Sequence, residues 1–390
     1  MKNILIITHD IPSNSVGATI PFYHMINNIK EDYNLTLVSF TTQKYTKLDI
    51  TTYSINIPEY KTLQKQLTYT LKNMISFNNL KTRSLLNYYY KPEMDRLIQE
   101  TIKKENIELI ITDLPMAIYT KNNKLPKIVY AFDAVSTYNK DMSQKAETFS
   151  GKIYWYLQYK KMQRYEKIYN NYDVCLVVNK RDKKLLEKHI KNTPIKVVPN
   201  GVDTTYFTPK KDNIKSKKLV FLGDMKTPPN IDAINYFCKE IYPLILEKQS
   251  IELFIVGRNP TDEILKLNDN KYITVTNEVA DVRDFLDKNT IFIAPMISGI
   301  GIKNKILEAM AMQLPVITTL NGVNGIDAIN NKHLVIASNS KEFADYIILL
   351  YQDLKLCDII GSNARLFVEK YYSWSNVSEI IKKQIDLISK

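Results

Sequence analysis

The chain has 390 residues, 45% of them apolar and 24% charged, a composition that excludes a disordered chain and is too long for one ordinary core, so two domains are expected. Its formal net charge of +12 is unevenly spread: residues 1–200 hold 30 Lys+Arg against 18 Asp+Glu, whereas residues 201–390 balance at 23 and 23. With no zinc-finger, RNP or helix-turn-helix signature the excess does not point to nucleic acid, which leaves an anionic membrane surface or a solvated lysine-rich face in the first half.

KNILIIT (2–8) is a β-type run, with an apolar core too short for a signal peptide. A polar loop, HDIPSNSVGA (9–18), and a helical stretch to about Lys30 follow, and then the strand LTLVSF (35–40), which starts a βαβ series. The pattern is helical and rich in tyrosine and lysine from about Lys61 to Lys104. LIIT (109–112) and KIVYAF (127–132) return to strand, helix resumes from about Gly151 to Asn171, and VCLVVN (174–179) and IKVVPN (195–200) flank a charged helix. A second series opens with KLVFLGD (218–224) and the helical NIDAINYFCKEIYPLIL (230–246). It continues through the strands ELFIVG (252–257), YITVTN (272–277), TIFIAPM (290–296), PVITT (315–319) and HLVIA (333–337). Near-continuous apolar runs are those of strands buried on both faces of a parallel sheet. The expected fold class is therefore α/β with two doubly wound Rossmann-like domains facing a central cleft, joined near the lysine-rich segment 209–218. No window approaches 18 apolar residues, so no membrane span is expected, and three widely separated cysteines predict a reduced, cytoplasmic setting.

Four segments, in order, carry a resemblance: VVPNGVDTTYFTP (197–209), LVFLGDMKTPPNIDAINYF (219–237), GIGIKNKILEAMAMQLPVITT (299–319) and YYSWSNV (371–377). Together they resemble the GT-B-fold glycosyltransferases of the GT4 type, and the loop resembles a subgroup of bacterial polysaccharide sugar transferases. The resemblance implies an N-terminal acceptor-binding domain over 1–200, a nucleotide-sugar-binding domain over 201–370, and a last helix over 371–390 that crosses back.

The glycine loop is the most informative stretch. Gly299 and Gly301 let backbone approach a ligand, and the loop runs into a helix start whose unpaired N–H groups and dipole favour a diphosphate. Lys303 or Lys305 would add positive charge there, and Ile302 and Asn304 lie in the same loop. Glu308 stands one to two turns on, where the resemblance implies hydrogen bonds to the nucleotide ribose. Gly223 ends the first strand of the second series. Lys303 is the expected catalytic cation, beside Asp133 at the end of a first-domain strand. Gly17 is expected to bring backbone near the donor. His9, Asp10 and Ser136 are candidate acceptor-binding residues, although His9, Asp10 and Asp133 could equally serve as helix caps. The chain departs from the family's pattern in three places: Ile300 stands where a first glutamate is usual, Asp224 where arginine is common, and AFDAVSTY (131–138) has no histidine.

The implied activity is transfer of a sugar from a nucleotide-diphosphate donor, UDP rather than GDP, to a hydroxyl of a lipid-linked or surface glycan, with retained configuration, no cofactor and no metal. The enzyme would then be cytoplasmic and peripheral at the inner face of the membrane. The basic, aromatic stretch 60–91 would either lie on anionic headgroups or pack on the sheet. The alternatives are a sugar-nucleotide 2-epimerase and a non-catalytic sugar-nucleotide-binding protein. A nicotinamide-dependent dehydrogenase is disfavoured because neither first strand is followed by GxGxxG.

Overall fold

The computed structural model describes residues 1–14, 19–41, 48–56, 90–209, 217–299 and 301–389. Two compact units divide the chain: Met1–Val198 with Ser378–Lys390, and Pro199–Val377. Gly17, most of the stretch 60–91 and most of the segment 209–218 lie outside the described residues.

In the first unit seven strands form one parallel sheet: β1 (Asn3–Thr8), β2 (Asn34–Thr41), β3 (Thr51–Asn56), β4 (Leu109–Asp113), β5 (Lys127–Phe132), β6 (Val174–Val177) and β7 (Ile195–Val197). The order β3-β2-β1-β4-β5-β6-β7 places the reversal between β1 and β4. One core joins Leu5, Ile7, Val38 and Phe40 to Met94 and Ile98 of helix Pro92–Lys104; another joins Val129, Ala131 and Val177 to Met162, Tyr165 and Tyr169. Two elements differ from expectation. The edge strand β3, TTYSIN, has no fully buried residue, so it lacks the apolar run by which the other strands are read. Ahead of the expected helix stands a separate one, Val135–Lys145, in which only Ser136 is buried; the second helix of this pair is Phe149–Glu166.

The second unit has six parallel strands: β8 (Lys218–Leu222), β9 (Glu252–Val256), β10 (Ile273–Val275), β11 (Thr290–Ala294), β12 (Val316–Thr319) and β13 (Val335–Ala337). Their order is β10-β9-β8-β11-β12-β13, with the reversal between β8 and β11. The expected 230–246 helix is Pro228–Tyr236, then a π-turn over Phe237–Ile241, then Tyr242–Leu246, with Pro243 supplying no amide to continue the ladder. Two of the segments that carried the resemblance meet in space. The Val202 amide donates to the Tyr372 carbonyl at 2.7 Å, and a Cβ on Gly201 would lie 2.5 Å from a Trp374 ring carbon, so only glycine fits beneath that indole. Helix Trp374–Ile388 starts in this unit, and its residues from Ser378 onward belong to the first.

Candidate active site

Ligands of open parallel sheets sit beyond the carboxyl ends of the strands where the strand order reverses. In the second unit that point is flanked by Gly223, directly after β8, and by the loop after β11, which holds Gly299, Gly301 and Lys303 and leads into helix Asn304–Ala311. Gly299 and Gly301 take φ of +95° and +78°, values that L side chains rarely adopt, so the loop's tight path requires glycine at both places. Ile302 is half-buried against the core. Lys303 occupies the helix N-cap position without a side-chain cap; its Nζ donates to the Gly301 carbonyl at 3.1 Å, which keeps the ammonium over the loop.

Lys305 turns towards β8. Its Nζ donates to Asn230 Oδ1 at 2.7 Å and lies 4.0 Å from the centre of the Phe221 ring. A Cβ on Gly223 would come within 2.9 Å of that ammonium and 2.6 Å of Asn230 Nδ2, so Gly223 leaves space that a side chain would close. Gly257 is packed still more tightly: its φ is +149° and a Cβ would fall 1.7 Å from the Gly223 carbonyl oxygen, so β8 and β9 end in near backbone contact. Asp224, where arginine is common in the family, accepts from Arg258 Nε at 3.0 Å, which brings a guanidinium from the β9 loop to this place. Asn304 Oδ1 accepts from Asn200 Nδ2 at 3.3 Å, while the buried Asn200 Oδ1 has no protein partner. Asn200 thus stands at the N-terminus of helix Asn304–Ala311, with an acceptor to spare.

Burial lowers the Lys305 ammonium to about 7 and raises the Glu308 carboxyl to about 7; each charge offsets the other's shift only in part. Lys305 and Glu308 thus form a buried pair of opposite charge type beside the glycine loop.

The reversal point of the first unit carries a different pair. His9 follows β1 and Asp113 ends β4; His9 Nδ1 lies 2.5 Å from Asp113 Oδ2, which also accepts the His9 amide at 2.8 Å. Burial opposes charge on the imidazole, but the hydrogen bond and charge of Asp113, with help from Asp10, outweigh it and raise the His9 pKa. Asp10 Oδ1 accepts the Ile11 amide at 2.9 Å, and the following helix, Ile20–Ile29, has Thr19 at its N-cap position with no side-chain cap bond, so neither His9 nor Asp10 is its cap. Asp133 follows Phe132, whose φ is +61°, and lies beside Asp182, whose carboxyl pKa burial raises. The next helix has Ala134 at its N-cap, so Asp133 does not cap it either. The Ser136 amide donates to Glu166 Oε1 at 2.9 Å, and Glu166 also pairs with His189 at 2.7 Å, so Ser136 sits in a buried polar knot of its own unit. Asp113, Asn230 and Arg258 were not legible as site residues. Each touches its partner only because strands distant in sequence are neighbours in the sheet. Among the described residues no group of three or more His, Cys, Asp and Glu side chains could hold a metal ion.

Two nucleotide-binding-type units, each with a polar cluster at its reversal point, define the class of an α/β protein with GT-B architecture. The model of the family "Glycosyl transferases group 1" matches residues 216–353, and that of "Glycosyltransferase Family 4" matches residues 58–206. An uncharacterized protein of the Klebsiella pneumoniae cps region is 28% identical over 183 residues, covering 45% of this chain and 47% of that protein. The Staphylococcus aureus capsular polysaccharide biosynthesis glycosyltransferase CapM is 30% identical over 155 residues, covering 37% and 39%. These matches span less than half the length of either relative. Anabaena HepE, solved in complex with UDP, superimposes with a TM-score of 0.69 at 12% identity over 99% of this chain and 100% of that one. Each half of the chain thus matches a model of a glycosyltransferase family.

Proposed function

We propose that this protein transfers a sugar from a nucleoside-diphosphate sugar to an acceptor hydroxyl with retained configuration, in the building of a cell-surface polysaccharide. The observation that carries this reading is the cradle at the second unit's reversal point: two glycines at positive φ, a helix N-terminus, Lys303, Lys305 and Glu308 within one ten-residue stretch. A UDP-sugar is favoured over a GDP-sugar because HepE, which shares the fold, is described with UDP and with UDP-glucose. A glycan acceptor, carried on lipid at the inner membrane face, is favoured by the capsular role in the CapM name.

The bond from the sugar's anomeric carbon to the β-phosphate oxygen breaks while the acceptor oxygen bonds that carbon on the same face. The acceptor's proton passes to the departing phosphate oxygen, so no separate base is needed. Loop amides and Lys303 meet the charge that grows on the phosphate, and this interaction strengthens in the transition state. Lys305 holds the resting diphosphate, and Glu308 accepts from the ribose hydroxyls. His9, oriented through Nδ1 by Asp113, is assigned to the acceptor. Asp133 is engaged with Asp182, and no step uses it. The diphosphate charge is met by amides and lysines, so turnover is expected to persist in excess EDTA.

The test is UDP-sugar turnover with a lipid-linked saccharide, followed by NMR with and without EDTA, beside calorimetric titration of UDP, GDP and ADP. Binding of UDP with transfer and retained configuration supports the reading. Release of a free epimeric UDP-sugar, or binding of none of the three nucleotides, overturns it; loss of turnover in EDTA that Mg²⁺ restores overturns the metal-independent part.

The Lys305 environment also predicts a pH dependence. An arriving diphosphate favours the ammonium form, whereas the free protein loses that proton above about 7. Affinity for UDP is therefore expected to fall between pH 7.5 and 9, with a limiting slope of about tenfold per pH unit, and binding takes up a proton. Calorimetry in buffers of different ionisation enthalpy reads that uptake. Lys305→Arg, which stays charged, should flatten the slope; a pH-independent affinity in the parent protein would refute the assignment.

A further inference from the structure

The helix pair Val135–Lys145 and Phe149–Glu166 has an outer face that its own unit does not use. The second helix buries only Met162, Tyr165 and Glu166, all in its last turn and a half, so residues 149–161 have no core behind them. That uncovered part is nevertheless apolar. Phe149 is 79% exposed, and Ile153, Tyr154, Tyr156 and Leu157 are exposed with it, as is Tyr138 on the first helix. Phe149, Ile153, Tyr156 and Lys160 recur at steps of four, three and four, which puts them on one stripe. Trp155 lies on the other side of the helix, edge-on to Tyr138 at 6.2 Å, and Ser143 Oγ donates to the Lys152 carbonyl at 3.1 Å, so the two helices hold each other and leave the stripe facing outward.

The charges around the stripe say what covers it. Lys140, Lys145, Lys152, Lys160 and Arg164 are all exposed. Of the acids on the pair, Glu166 is buried against His189 and Asp141 lies 3.7 Å from Arg181, which leaves Glu147. Lys160 lies 5.5 Å from the Tyr156 ring centre and 5.3 Å from that of Tyr159, the mixture of ring and ammonium that suits the boundary between headgroups and acyl chains. A protein partner or a second copy would match the apolar stripe but not a nearly unopposed ring of cations around it.

We infer that this helical hairpin is a docking element for an anionic lipid surface, with Phe149, Ile153, Tyr156 and Leu157 entering the interface and the flanking cations on the headgroups. No helix among the described residues is long and apolar enough to cross a membrane, so attachment through this element is peripheral. The inference names a different segment from the stretch 60–91, and it does not depend on glycosyl transfer.

The full chain is to be sedimented with phosphatidylcholine vesicles and with vesicles in which about a third of the lipid is phosphatidylglycerol. Binding is expected to the anionic vesicles alone, weakening as salt rises. The triple variant Phe149→Ser, Ile153→Ser, Leu157→Ser and the charge variant Lys152→Glu, Lys160→Glu should each raise the lipid concentration for half-binding about tenfold or more, because polybasic and apolar contributions act together. All these side chains are exposed, so an unchanged Tm shows that the fold is kept. Failure of the parent to bind anionic vesicles, or undiminished binding by both variants, overturns the inference. Concentration-dependent dimerisation of the parent that the triple variant abolishes, without vesicle binding, would assign the face to a second copy instead.

Discussion

Glu308→Ala is expected to weaken UDP binding by about tenfold or more without unfolding the protein, because each hydrogen bond to a charged acceptor contributes about 1.5–3 kcal/mol. The carboxyl sits in the first turns of the helix that follows the glycine loop, three residues beyond Lys305. Burial raises its pKa to about 7. An acid whose folded pKa lies above its unfolded value loses stability as pH rises from the unfolded to the folded value, so at pH 8 Glu308 opposes folding. Its removal should therefore leave Tm at pH 8 unchanged or higher while affinity falls. That is the opposite of what a structural glutamate would do. Calorimetric titration and a thermal melt of the same sample decide it, and an unchanged UDP affinity would refute the nucleotide assignment.

Lys303→Ala is expected to lower kcat about a hundredfold with a smaller change in donor KM, the size of effect seen when one preorganised donor to a developing negative charge is removed. The two lysines of the loop differ in placement. Lys303 Nζ is held over the loop by the Gly301 carbonyl, whereas Lys305 is drawn to Asn230 and the Phe221 ring on the β8 side. Lys305→Ala is accordingly expected to raise donor KM and leave kcat within a fewfold of the parent. Steady-state kinetics at saturating acceptor separate the two. Loss of kcat in Lys305→Ala with a near-normal Lys303→Ala would reverse the assignment.

Much of this site was legible because it is local. Gly299, Gly301, Lys303, Lys305 and Glu308 lie within ten residues, and a helix start after paired glycines has one electrostatic meaning. What was not legible lies across the sheet. Asn230 is 75 residues from Lys305, and Asp113 is 104 from His9. Nothing in either segment marks the other as its neighbour. The cap alternative at His9, Asp10 and Asp133 was likewise removed only by where the helices begin, at Thr19 and Ala134.

The sequence by itself determined the α/β class, the two series of buried strands and the glycine loop that leads into a helix, since each depends on side-chain periodicity or backbone freedom within a short segment. Buried parallel strands are mostly apolar, and a backbone at positive φ favours glycine, so both leave marks in the order of residues. The tertiary structure alone decided the edge strand TTYSIN, whose half-exposed side chains carry no apolar run, and the polar helix Val135–Lys145, whose place is set by its partner helix. It alone decided the strand order as well, and with it which loops meet at the two reversal points, because parallel neighbours are chosen by packing of the whole sheet and not by any one strand.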